Sequence, residues 1–322
     1  VVKKRIKQVE KFTHEQLLRL RKVHFGNPDK NLYDTGKLFI DQLQKDDITE
    51  RAGSMAFSFF VALFPLLLFL LNLIPYLQNF FPLVTTENIL GFITEIVPGD
   101  IFEEMEGTIT DIVSRPRQSL LSFGFFFALF ASSQGVISMM NSFNSVYQTN
   151  ENRGFFKSRG ISVLIVFILV LTIIVASTTM IFGSIAIQRI ETLHVFNSEF
   201  MIFLFNSLKF LVLLLVFYFS SAFIFRFAPA VHDKWHFFSI GANIAGLLIT
   251  LSFYGFTFYL NNFASYNKLY GSIGTLIALM LWLYITSLII LISFEVNVTM
   301  DLLDEKKKRM EEESYTEIDY GD

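Results

Sequence analysis

The chain has 322 residues, of which 52% are hydrophobic and 17% charged, with 39 Phe and no Cys. Without Cys there is no disulfide framework, no thiol chemistry and no Cys-based zinc site. A formal net charge of −3 gives no reason to expect a polyanionic partner, so no nucleic acid is expected. Soluble domains carry about 25% charged residues; here the charges crowd into residues 1–51 and 301–322 and are sparse between. The mean hydropathy of +0.49 fits that distribution.

Residues 1–51 read as a cytoplasmic amphipathic region. THEQLLRLRKVHF places Thr13 and Gln16 at capping-box spacing, with Leu17, Leu20 and Phe25 on one helical face. KLFIDQLQKDDI repeats the pattern with Phe39, Ile40 and Leu43. The opening residues are basic and polar with no short apolar core, so no signal peptide is expected. Six stretches then reach the roughly 20 apolar residues that a helix needs to cross a bilayer. They are Ala52–Leu77, Ser119–Tyr147, Ile161–Ile187, Met201–Phe225, Phe237–Leu260 and Ser272–Val298. Lipid offers the backbone no hydrogen-bond partner, so these spans are helical. The first contains Pro65, which removes a backbone donor and predicts a kink.

Residues 78–118 carry seven acids and two basic residues. Ile89, Ile93 and Ile96 form one stripe, and Phe102, Met105, Ile109 and Ile112 another after Pro98–Gly99. The pattern predicts a helical hairpin that caps the extracytoplasmic side. In the second span Gln134, Ser138, Asn141 and Ser145 recur at helical spacing, with Ser142 beside them. Such a stripe is expected to face the bundle interior. There it serves either as hydrogen-bond glue between helices or as the lining of a substrate pathway.

In the fourth span Lys209 interrupts the apolar run. HDKWH at 232–236 sets two His at i, i+4, but lacks the further ligands of a metal site, so no metal and no cofactor are expected. In the fifth span Gly241 with Ala245, and Ala242 with Gly246, form two small-xxx-small pairs that favour close helix approach. The sixth span carries Glu295. Counting 23 residues from Ser272 at about 1.5 Å each puts it roughly 34 Å along the helix. A core about 30 Å thick then leaves Glu295 near the inner headgroups, level with Arg51 and Arg226. An ion pair there, or a coupling carboxylate, are both open readings. The C-tail 301–322 continues as a charged helix through KKKRMEEE and is expected to end as disordered EIDYGD. With six spans both termini share one side. That side holds 21 Lys and Arg against 4 in the opposite loops, which predicts both termini in the cytoplasm.

Three stretches carry a family resemblance: RAGSMAFSFFVALFPLLLFL in the first span, FRFAPA after the fourth, and NKLYGSIGTLIALMLWLYITSLIILISFEVN in the last. With them the chain, over roughly residues 35–300, resembles the YihY/BrkB family of bacterial inner-membrane proteins. Ser293–Phe294 departs from the family's pattern, which has a Gly-Ala-like pair there. The resemblance implies an all-α, six-span protein of the bacterial inner membrane, with the membrane domain at 52–300. Members of the family have been labelled a ribonuclease, tied to serum resistance, or proposed to move lipids or envelope precursors. The expected function is therefore a transporter or a flippase for a lipid or envelope precursor, with membrane lipids as partners. The alternative is a scaffold for envelope assembly. No enzyme is expected, because no catalytic spacing stands out. Substrate and oligomeric state are not legible.

Overall fold

The structure is a computed structural model, which describes residues 32–45, 47–77, 106–107, 110–111, 118–193, 198–231, 237–262 and 272–319. Its helices are α1 Leu32–Lys45, α2 Ile48–Leu77, α3 Gln118–Val146, α4 Phe155–Leu193, α5 Ser198–Phe227, α6 Ile240–Asn262 and α7 Ser272–Asp319. The described residues contain no strand. Five segments, in α3 to α7, are long and apolar enough to cross a membrane: Phe123–Val146, Phe155–Met180, Phe200–Phe227, Ile240–Leu260 and Leu276–Glu305. The expected first span is one unbroken helix, α2, which continues through Pro65; it is not among the five, and its side chains are described only as far as Leu66. The molecule is an all-α, multi-span membrane bundle.

The six long helices form a closed ring. α2 packs on α3, α3 on α4, α4 on α5, α5 on α6, α6 on α7 and α7 back on α2. α1 lies against α7, and α7 also touches α3. Outside the ring, Phe126, Phe167, Leu171 and Leu281 are each more than half exposed. A soluble protein rarely shows so continuous an apolar exterior, whereas hydrocarbon solvates it without cost.

The ring closes through α6. A Cβ placed on Gly241 would lie 2.1 Å from the backbone oxygen of Ser293 in α7. One on Gly246 would lie 2.8 Å from Cα of Tyr218 in α5. Ala242 and Ala245 are fully buried between these contacts. The two small-residue pairs therefore set α6 directly against both neighbours. The start of α6 is held from outside as well: Ser239 Oγ accepts from Ala242 N–H at 3.2 Å, and Asn297 Oδ1 accepts from Gly241 N–H at 2.8 Å. Two of the helix's otherwise orphaned amides are thereby satisfied.

The C-terminal ends of α3 and α5 are joined by a polar clamp. Glu151 accepts from Arg153 and from Asn144 Nδ2 at 3.0 Å. Arg153 also donates to the carbonyls of Phe227 at 3.1 Å and Ala228 at 2.8 Å, which caps α5. Asn144 Oδ1 accepts from Ala230 N–H at 2.7 Å. The Arg153 guanidinium pulls the Glu151 carboxyl down to about 2, so the clamp stays ionised at any physiological pH.

Two expectations lie outside the described residues: the Thr13–Phe25 helix and the HDKWH segment. Of the hairpin expected at 78–118, residues 106–107, 110–111 and the start of α3 at Gln118 are described, all as helix. The second amphipathic stretch is α1. At the other end α7 stays helical to Asp319, further than the expected disordered start at Glu317.

The glycine contacts predict opposite responses within one helix. Gly241→Ala drives a methyl into the α7 backbone and lowers the melting temperature, with about 1–3 kcal/mol lost, as is usual for overpacking. Gly255 has nothing within 4 Å of the same methyl. Gly255→Ala leaves stability unchanged or raises it by about 0.5–1 kcal/mol. Thermal melts in one detergent decide it, and equal effects at both sites would exclude close approach.

Candidate functional site

The ring encloses a cavity of about 190 Å³ lined by side chains from α2 to α7. Its wall is mainly aliphatic and aromatic, with Leu63, Val136, Val170, Phe217 and Ile290 among the contributors. Ser132, Thr172, Ser220, Ser221, Thr286 and Ser287 also belong to the lining, yet the surface it presents is almost wholly apolar. Thr172 and Ser220 hydrogen-bond each other across α4 and α5. Ile173 lines the cavity yet is 55% exposed, so it stands at the rim, on the lipid-facing side of α4. No charged residue occurs among the described residues of the lining.

At one end three phenylalanines close the space. Phe143 and Phe294 stack at 4.1 Å, and Phe225 meets them edge-on at 5.8 and 5.7 Å. All three are buried. Each follows a lining residue on its own helix: Met139, Ile224 and Ile290. The plug and the lining are thus successive layers of one core. Phe294 fills the centre of the plug, in contact with both other rings.

Residues 39–316 match the family described as Virulence factor BrkB. The chain belongs to the BrkB family. Among curated relatives, the ribonuclease-like protein YfkH of Bacillus subtilis (strain 168) is 32% identical over 82% of this chain and 93% of its own length. A UPF0761 membrane protein of Pseudoalteromonas atlantica is 19% identical over 89% of this chain and 91% of its own. One from Vibrio parahaemolyticus is 25% identical over 82% and 81%. No solved structure matches. The resemblance noted from the three sequence stretches is correct.

In this BrkB-family chain the polar stripe of α3 does not face inward, which corrects the expectation. Gln134, Asn141 and Ser145 are exposed and Ser138 is half-buried. The inner face carries Ser132, Ser133, Ser142 and Asn144 instead. The stripe is the continuation of an exposed row, Phe123, Phe127 and Phe130, at the same helical spacing. One outer face turns from phenylalanine to amide and hydroxyl at Gln134. Arg159 of α4 reaches that same level: it donates to Ser133 Oγ at 2.7 Å and lies 4.6 Å from the Phe130 ring centre. The Arg159 guanidinium thus lies over the last phenylalanine of the row, at the point where its polar part begins. Periodicity showed that these residues share a face; it could not show which way that face points.

Pro65 is half-buried on the turn of α2 that supplies Leu63 and Leu66 to the cavity. Arg51 and Arg226 are half-buried, and the Arg226 guanidinium sits 4.7 Å from the ring centre of Phe237. Glu295 is 0% exposed. Its neighbours on α7 fix its direction. Ser293 and Asn297 face α6, Phe294 faces α3 and α5, and Thr299 hydrogen-bonds Gln42 of α1 at 2.9 Å. Glu295 therefore occupies the arc between Phe294 and Thr299, on the side of α7 where α2 packs. The clamp residues Asn144, Glu151 and Arg153 were not singled out from sequence. Their partners lie up to 86 residues away, and no local pattern announces them.

The arc predicts Arg51, rather than Arg226, as the cation paired with Glu295. Removing one member of a buried pair costs about 3–5 kcal/mol, and removing both costs much less than the sum. Glu295→Gln and Arg51→Gln each lower the melting temperature, and the double variant recovers most of the loss. Additivity with Arg51 but coupling with Arg226 would transfer the pair to α5, and additivity with both would reject it.

Proposed function

We propose that this BrkB-family protein moves or presents a lipid, or a lipid-linked envelope precursor, and that the cavity inside the helix ring receives its hydrocarbon chain. One observation carries the reading: an uncharged, mostly apolar chamber lined by all six long helices, with a rim residue on the lipid-facing side. A helix bundle serving only as a scaffold has no need of such a space. The scaffold reading keeps some support from the tightly packed cytoplasmic end, where the phenylalanine plug and the Glu151–Arg153 clamp leave no path. The ribonuclease-like name of the Bacillus subtilis relative has no counterpart in the geometry. Among the described residues no three His, Asp or Glu come together as metal ligands, and the lining carries no acid or base.

In this reading α2 to α7 are six spans in the inner membrane, and residues 78–118 form an extracytoplasmic cap. The N-terminal region, α1 and the end of α7 lie in the cytoplasm. The loop bias of Lys and Arg supports that orientation. Because the chain has no Cys, single cysteines report it cleanly. Glu104→Cys and Lys268→Cys react with an impermeant thiol reagent in spheroplasts, and Lys307→Cys reacts only after lysis. The opposite labelling would invert the topology.

Lipid handling is tested by native mass spectrometry of the purified full chain and by fluorescent-lipid exchange between leaflets of reconstituted vesicles. The expected result is retained lipid and faster exchange, both reduced by Val136→Trp, which fills the chamber. If the protein carries no lipid and leaves the exchange rate at that of empty vesicles, the transport reading fails and the scaffold reading replaces it.

A further inference from the structure

Lys209 stands in the apolar run of α5 without the acid that commonly accompanies a cation inside a membrane. No Asp or Glu occurs in α4 from Phe155 to Ile190, in α5 after Glu199, or in α6. Glu199 itself is ten residues back, about 15 Å along the helix. Among the described residues the Lys209 ammonium makes no hydrogen bond and no ion pair, and it is not enclosed. The stem, in contrast, is held. A Cβ placed on Gly183 of α4 would lie 2.9 Å from Lys209 Cδ and 3.6 Å from its Cγ. The bare backbone of α4 thus receives the stem on the seam between α4 and α5, and leaves the charged head unpaired.

Two counts give the level of that head. Arg159 lies near the start of α4 and Arg226 in the last turn of α5, on the same side of the bundle. Gly183 follows Arg159 by 24 residues, about 36 Å, and Lys209 precedes Arg226 by 17, about 26 Å. The hydrocarbon is about 30 Å thick, so Lys209 sits at the opposite face, among the headgroups there. A side chain on a helix leans toward the N-terminus, which carries the ammonium outward past Asn206, exposed and three residues earlier. The same seam leads to the cavity. Thr172 meets Ser220 across it, eleven residues from Gly183 and Lys209 on each helix, about 16 Å. Beside Thr172 stands Ile173, the exposed residue of the cavity rim.

The seam therefore offers a cation with a neighbouring amide at headgroup level and an apolar opening about 16 Å below. Half the hydrocarbon is about 15 Å, the depth that the chains of one leaflet fill. The chain that enters at the rim thus has its head at Lys209. An ammonium with three donors and no acceptor holds an anion. With no acid among the neighbouring spans to receive an amine, an anionic head fits better than a zwitterionic one. We propose that Lys209, with Asn206, holds the phosphate of an anionic phospholipid whose acyl chain follows the α4–α5 seam to the rim at Ile173. The inference rests on reading the cavity as a lipid chamber, and adds the class of lipid and the place of its head.

The full chain, in non-ionic detergent, is offered equal amounts of phosphatidylglycerol and phosphatidylcholine with the same acyl chains, and native mass spectrometry reads what it retains. The expected result is a preference for phosphatidylglycerol of about fivefold, the usual worth of one lysine at a membrane surface. Lys209→Met keeps a stem on Gly183 and removes the charge. It brings the ratio close to one, leaves phosphatidylcholine retention unchanged and melts no lower than the parent. Lys209→Arg keeps the preference. Val136→Trp, which fills the chamber, reduces both lipids alike. A second route needs no comparison of folds. Lys209→Cys carries the only thiol of the chain; a cationic thiosulfonate reagent restores the preference on this protein, and a neutral one of similar size does not. Equal retention of the two lipids by the parent, or a preference that survives Lys209→Met or ignores the charge placed on the thiol, overturns the Lys209 site and leaves the chamber reading intact. A parent that retains neither lipid removes both.

Discussion

α6 can complete the ring only because its backbone is bare at two points. At Gly241 it rests on the carbonyl of Ser293, and at Gly246 on the Cα of Tyr218. In hydrocarbon no hydrophobic force drives helices together, since lipid is as apolar as leucine; closeness and hydrogen bonds must do it. The same stretch supplies both. The glycines let α5 and α7 approach, and Asn297 reaches across to satisfy the first turn of α6. A bulkier α6 would stand off from its neighbours, and the chamber would lose one wall.

That closure divides the molecule into unlike halves. At one end the core is dense, with stacked rings, a capped α5 and a fully buried carboxylate. Beyond it the same helices leave a lined space. The two halves share residues one turn apart, Met139 and Phe143 on α3, Ile290 and Phe294 on α7. Any change in the spacing of the helices is therefore felt at once in the plug and in the chamber.

The helices were readable from sequence because apolar length is a one-dimensional signal that needs no knowledge of neighbours. α3, α5 and α6 begin and end within three residues of the expected spans. α2 runs as one helix through Pro65, as a proline-kinked helix also does. The inward faces were not readable. In a soluble helix polarity marks the outside, but here phenylalanine is correct on both faces of α3, at exposed Phe127 and at buried Phe143. The eye is then drawn to amides and hydroxyls as the interior, and Gln134, Asn141 and Ser145 are misplaced for that reason. Ser132 and Thr286 were invisible for the opposite reason. A lone hydroxyl in an apolar run carries no periodicity, and its place beside the cavity exists only in three dimensions.

α7 spans 48 residues without interruption, about 72 Å of helix, more than twice the hydrocarbon thickness. One end bears Trp282 on the chamber wall. Beyond the plug the same rod carries Thr299, bonded to α1, and Asp301, bonded to Tyr147 at the end of α3. The chamber wall, the plug and the contacts to α1 and α3 therefore share one continuous backbone.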